Sequence, residues 1–400
     1  MNTRISTGMM YSQSLALIQS KQANLAHIQQ QLGTGQRLLT AKDDPVAAGA
    51  AVGLDRALAE LERFGANAAN VQNRLGLQEN VLAQAGEMMG RVTELTVQAN
   101  SDALSDADRS AIAKEIGSIR QGLLDLANST DGSGRFLFAG AADASAPFSI
   151  VGGSAVYGGD QTQRRVEIAP GMFVADSQPG SEVFMRVRTG DGRVDASAAA
   201  GNTGTGLLRQ FGLVDPAAWT GGTHTVGFTA ADAYEVRDSG GALVASGTYV
   251  PGESIAFAGL QMRIEGEPAP GDAFTIGPAG TRDVFATLDR LTAALSSAPV
   301  GDQQKAAQQN LLQQSMRDVA GAQAHLVDAR AAGGAQLSAI DTATELRGSQ
   351  SLTIESTLSG MRDLDYAEAI SRFTLEQAAL EAAQLSFTQM QRLSLFNLIR

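Results

Sequence analysis

At the N-terminus the apolar residues keep a seven-residue step. Tyr11, Ile18, Leu25 and Leu32 form one row, with Leu15 and Ile28 beside them. That step predicts a helix with a narrow apolar seam, broken by glycines 33 and 35. At the other end Tyr366, Phe373, Leu380 and Phe387 repeat the same spacing, and the last residues, with Leu395 and Leu398 among them, stay apolar to the terminus.

Between the ends the pattern changes twice. Asp44 reads as an N-cap and Pro45 as a first helical residue. Two heptad rows follow, one from Leu54 to Thr96 and the other from Ala57 to Ala99. About fifty helical residues would extend some 75–80 Å, so this rod must pack against others along its length. Ser105 with Asp108 has the form of a capping box. It opens a second helix, on which Ile112, Ile116, Ile119, Leu123 and Leu126 alternate steps of four and three. The short connection folds this helix back on the first.

From about 129 to 280 the chain is rich in glycine and punctuated by PG and DG turns. The stretches RRVEIA, SEVFMRVR, THTVGFT, AYEVRD, GTYV and LQMRIEG read as short antiparallel strands. Residues 191–206 read as a loose loop and Trp219 as a residue of the β core. Helical spacing returns near 282, and Leu312, Val319, Leu326, Ile340 and Ile354 lie on one seven-residue lattice that Arg347 interrupts. Gly86 and Gly90 weaken the long helix and are expected where another helix comes close. The expected fold is α + β and multidomain: a long antiparallel coiled-coil bundle built from both chain ends, with an inserted mainly-β domain. Residues 1–42 and 361–400 are assembly helices, disordered in the monomer. Residues 43–140 and 281–360 are the two halves of a helical rod, and 141–280 form the β-rich outer domain.

Charge narrows the function. A net charge of −12 with no basic stripe argues against a nucleic-acid partner. No apolar run is long enough to span a bilayer, and no charged-then-apolar leader opens the chain. The aromatic share of 5% suits close-packed helices better than an aromatic-rich sandwich. The first forty residues carry +3 and residues 363–400 carry −2, opposite signs that help choose which helix pairs with which.

Chemistry is hard to find. Cysteine is absent, and His27, His224 and His325 stand far apart without metal-ligand spacing. No nucleophile elbow, P-loop or dinucleotide fingerprint occurs. The carboxylates of RDLDYAE (362–368) read as the cap and first turn of the final helix rather than as a cation or acid–base site. No catalytic residue, cofactor or metal is assigned. The terminal seams are only coiled-coil wide, so the two tails pairing with each other would bury too little to order some seventy residues. Tyr11, Ile18, Leu25, Leu32, Tyr366, Phe373, Leu380, Phe387, Leu395 and Leu398 are therefore the candidate assembly interface.

Three segments carry a resemblance. LGTGQRLLTAKDDPVAAGAA and GRVTELTVQANSDALSDADRSAIAKEI near the start, and LSGMRDLDYAEAISRFTLEQAALEAAQLSF near the end, resemble the flagellin family in the family's own order. The similarity covers roughly 1–140 and 281–400. Within the family the opening MNTRISTGMMYSQSL, the DDP, GRFLFAG and the SLFNLI ending look like a hook–filament junction member rather than the filament subunit.

The resemblance implies a structural protein and not an enzyme. It would be an extracellular part of the flagellum, a ring of like subunits between hook-associated protein 1 and the first flagellin subunits. Its terminal helices would line the inside and its β domain would face outwards. It also implies secretion through the flagellar export channel, with a cytoplasmic chaperone on the C-terminal segment. Two other readings stand beside this one: flagellin itself, and a secreted enzyme or adhesin acting through the β domain. Arg91, Leu95 and Glu115 resemble the positions where an innate immune receptor recognises flagellins; the other reading of them is helix packing.

Overall fold

Asp44 accepts hydrogen bonds through Oδ1 from the backbone N–H groups of Val46 (3.1 Å) and Ala47 (2.9 Å), and a 55-residue helix starts at Pro45. The sequence cap is thus the physical start. The computed structural model of the chain describes residues 7–101 and 103–398, with side chains described for 9–101 and 103–391. The helices are α1 (Thr7–Thr34), α2 (Pro45–Ala99), α3 (Asp106–Ala127), α4 (Val284–Ser296), α5 (Gly301–Arg362) and α6 (Tyr366–Leu398). The Ser105–Asp108 capping box opens α3 as read. Two compact units result, one from Met1–Ala66 with Thr344–Arg400, the other from Asn67–Ala343.

Within the second unit, α2, α3, α4 and α5 share one core. The heptad rows of α2 supply Leu82, Ala85, Met89, Val92 and Ala99, and α5 supplies Leu312, Val319 and Leu326, all buried. Close helix approach falls elsewhere than expected. A Cβ on Gly86 would meet nothing within 4 Å, and one on Gly90 only the tip of Gln323, whereas one on Gly122 of α3 would lie 3.2 Å from Met88 of α2.

Within GRFLFAG, residues 137–140 form a buried strap, while Gly134 and Arg135 stay exposed. Arg74 donates to the Phe136 carbonyl (2.9 Å) and Gln78 to that of Leu137 (2.7 Å). Gln78 sits on a core heptad row because it satisfies backbone that would otherwise be buried unpaired. Phe138 then enters a cluster with Phe148, Phe184 and Phe285, neighbouring rings lying 5.3–6.1 Å apart. At Gly140, with φ +65°, a Cβ would sit 2.0 Å from the Asp160 carbonyl oxygen, so only glycine fits.

The stretch 141–280 divides in a way the alternation pattern did not show. The hairpins β1 (Phe148–Val151) with β2 (Ser154–Tyr157) and β3 (Arg165–Ala169) with β4 (Met172–Ala175) pack on helices. Phe148 joins the four-helix core, while Ile168, Ala169 and Val174 bury against Val71 and Leu75 of α2 and Ile340 of α5. SEVFMRVR is a strand only at its end: Ser181–Met185 is one π-helical turn, followed by the short β5 (Val187–Arg188). Val183 and Phe184 are consecutive and both buried, which a strand with one buried face cannot arrange.

The outer module lies between two-residue strands, β5 and β14 (Thr281–Arg282), which pair with each other. Its larger sheet runs β10 (Leu243–Thr248), β9 (Ala233–Asp238), β8 (His224–Ala230), β13 (Ala273–Pro278), β6 (Val194–Ala198), antiparallel throughout. A three-stranded sheet orders β11 (Ser254–Phe257), β12 (Leu260–Glu265) and β7 (Leu207–Leu213). Their common core contains Val226, Phe228, Met262, Ile264, Phe274 and Ile276. The expected loose loop at 191–206 is corrected here. Val194 and Ala196 alternate into that core as strand β6, and Asn202, Thr203 and Gly204 are pinned to Ala273 and Asp272. Trp219 packs at the rim of the core, half-buried, with its indole N–H on the Gly222 carbonyl.

Candidate assembly interface

The terminal helices pair with each other, antiparallel, inside the first unit. Tyr11 lies against Phe387, ring centroids 5.0 Å apart. About three turns along, Lys21 Nζ stands 2.8 and 3.1 Å from the two carboxylate oxygens of Glu376. At the base Leu364 donates its N–H to the Gly35 carbonyl (3.0 Å), and Arg37 donates to the Arg362 carbonyl (2.7 Å). The break after α1 needs its glycine. Gly35 has φ +71°, and a Cβ there would lie 2.9 Å from the Tyr366 hydroxyl.

The seam is one residue wide per turn. Ile18, Leu25 and Leu32 on α1, and Phe373, Leu380 and Phe387 on α6, are all half-buried. The second row differs from the expected one. Ser14, Lys21 and Ile28 take the inward positions and Leu15 turns to water. The spacing already holds this, since Lys21 follows Ile18 by three and precedes Leu25 by four, but a lysine does not read as seam. Its ammonium is tolerated because Glu376 occupies the facing seam position. Tyr366 stays largely exposed and serves the base rather than the row, and Tyr11 is 47% exposed. Leu395 and Leu398 fall on the last turns of α6, where their side chains lie outside the described residues.

Asp365 caps α6, its Oδ1 accepting from Ala367 (2.9 Å) and Glu368 (3.1 Å). Asp43 folds the connection by accepting from Leu39 (3.0 Å) and Thr40 (2.8 Å). These N–H groups, Thr40 foremost, hold its carboxyl below the ordinary value, and His27 stands 3.4 Å away. The Arg362 guanidinium, bonded to Asp55, likewise lowers that carboxyl. These contacts brace the base; nothing about them is arranged for proton transfer to a substrate.

Away from the seam both helices carry apolar side chains into solvent. Leu375 is 72% exposed and Leu385 62%, with Leu17 and Ile370 also exposed. An amphipathic helix that has already paired should present a polar back; these two leave large apolar side chains exposed there among polar ones. In the other unit Arg91 pairs with Glu115 (2.8 Å) and Glu94 (3.1 Å), while Leu95 is 1% exposed inside the four-helix core. Leu95 thus serves helix packing, while the side chains of Arg91 and Glu115 remain about half exposed.

Residues 5–143 match the family described as the bacterial flagellin N-terminal helical region. The chain is 28% identical to the flagellar hook-associated protein 3 of Escherichia coli K12 over 397 residues, 99% of both chains. A flagellar filament 41 kDa core protein from Borreliella burgdorferi matches over only 94 residues, 24% of this chain and 28% of that protein, at 31% identity. Among solved structures, the crystal structure of Xanthomonas campestris FlgL aligns with a TM-score of 0.72 and 59% identity, covering 76% of this chain and 99% of that one. The hook-associated protein-3 of Legionella pneumophila aligns with a TM-score of 0.73 at 28% identity, covering 77% of this chain and 98% of that one.

Proposed function

The chain belongs to the flagellar hook-associated protein 3 family, the FlgL proteins, and from that premise we propose how its two ends work. It is a structural protein of the flagellum, at the junction of hook and filament. The full-length relatives carry the name hook-associated protein 3 and the filament-protein match stops at 94 residues, so the filament-subunit reading is the weaker one.

Like subunits form a ring, with hook-associated protein 1 on one side and the first flagellin subunits on the other. The observation that carries this reading is the apolar surface left on α1 and α6 after they have paired. A seam one residue wide per turn recovers too little to hold some seventy residues by itself, so in the lone chain the terminal pair opens readily. In the ring, neighbouring tails cover Leu17, Ile370, Leu375 and Leu385 and keep it closed. The chain reaches its place through the flagellar export channel, with a cytoplasmic chaperone on the C-terminal segment beforehand.

Deleting the gene tests this. Hooks should remain, filaments should be missing, and flagellin should accumulate in the medium. Full-length filaments on the deletion strain would contradict the junction assignment.

A further inference from the structure

The joint between the outer β module and the helices of its own unit is neither apolar nor closely packed. The module leaves and returns through the β5–β14 pair, extended by Thr189 donating to the Gly280 carbonyl (3.1 Å). Side chains of α5 then tie it down: Gln303 donates to the Asn202 carbonyl (3.1 Å), and Asn310 acts as a staple. Asn310 accepts from the Leu208 N–H (2.8 Å) and donates to the Gly206 carbonyl (2.9 Å). Nearby, Arg317 lies over the Phe211 ring, 4.8 Å from its centroid. A small polar joint on a two-strand neck leaves relative motion as the ordinary expectation.

Beside the staple is a cleft of about 520 Å³. Asp195 of β6 stands on its module wall and Arg290 of α4 on its helix wall. Asp195 Oδ1 is buried with no hydrogen-bond partner, which is costly for a carboxylate. Arg290 donates only to Gln314 (3.0 Å) and has no carboxylate in ion-pair contact among the described residues. Arg282, on the same wall, is already taken by Asp318. Ala198, Ala199, Ala306 and Ala307 line part of the space between, beside the larger side chains of Gln303, Leu311 and Gln314.

We propose that this cleft is poised to close: the module tilts about its two-strand neck until Asp195 pairs with Arg290, giving the outer module two defined attitudes on the helices. The open attitude leaves two complementary charges facing each other unpaired; the closed one pairs them and expels the water between. Electrostatics agrees with the geometry. Burial, and after it the like charge of Arg282, disfavour the charged form of Arg290, while the charges of Asp318 and Asp195 act in the opposite direction.

The chain has no cysteine, so two introduced thiols can be spin-labelled cleanly in the full-length protein. With labels at Glu253→Cys on the module and Ala332→Cys on α5, pulsed dipolar spectroscopy should show two distance populations. Asp195→Asn and Arg290→Gln, each of which removes one of the two charges, should each abolish the same one of the two. The exchanged pair, Asp195→Arg with Arg290→Asp, should restore it. A single distribution in the parent protein, unmoved by either substitution, would overturn the proposal. So would two populations that persist in both single variants with unchanged melting temperatures.

Discussion

The outer module and the terminal helices bury their apolar side chains in opposite ways. In the module Phe274 and Ile276 are fully buried between two sheets that close over them. On the terminal helices the seam side chains are half-buried, while Leu375 and Leu385 face water. The module completes its own core. The α1–α6 pair buries its seam only in part and leaves other large apolar side chains exposed, which on the proposed reading other chains cover. Residues of the same chemical type therefore secure a fold in one place and await an assembly in the other.

That contrast can be broken in several ways. The largest expected effect is on local opening. Limited proteolysis of the purified full-length chain should trim roughly the first and last forty residues at least about a hundredfold faster than it cuts the module. Equal protection would erase the comparison. Next comes Phe274→Ala, which removes a ring packed edge-on against Phe228 at 6.0 Å. It should destabilise the module by about 3–5 kcal/mol in denaturant unfolding and leave proteolysis of the tails unchanged.

Tyr249→Phe is a gentler probe. Its hydroxyl donates to the Ile264 and Gly266 carbonyls (3.2 and 3.0 Å), and the loss should be about 1 kcal/mol. Burial pushes the Tyr249 phenol up from 10.0 to about 12. The folded module thus holds this proton more tightly than the unfolded chain. Its contribution is complete below pH 10 and is lost as pH rises towards 12, and Tyr249→Phe should flatten that alkaline loss. Smallest in energy is the seam pair. Lys21→Glu places like charges together and should cost about 1 kcal/mol, read as slower swimming. Adding Glu376→Lys should restore it.

The helices were legible in the sequence because their signals are local and repeat. Asp44–Pro45 and Ser105–Asp108 cap as read, and the α2 rows from Leu61 to Ala99 are buried in register. The β region was harder, for nameable reasons. Val194, Ala196 and Ala198 form a strand only because Phe274 and Ile276 of β13 lie opposite, a partner some eighty residues away. Ser181–Met185 has a strand's composition but buries consecutive residues. Phe148 and Ile168 alternate like outer strands yet pack on helices, and alternation says that a face is buried without saying against what. At the interface the seven-residue rows were plain. Lys21 was not, because its seam position is acceptable only with Glu376 opposite.

On the proposed reading, the outward apolar side chains of α1 and α6 exist for assembly. Leu375→Asp with Leu385→Asp tests it most directly, since both side chains are mostly in water in the lone chain. The purified double variant should keep the parent's melting temperature to within a few degrees, as exposed substitutions contribute little to monomer stability. Cells carrying it should build hooks, release flagellin into the medium and fail to swim. Normal filaments and normal swimming in that strain would show that this face is covered by nothing in the assembled flagellum, contradicting the account.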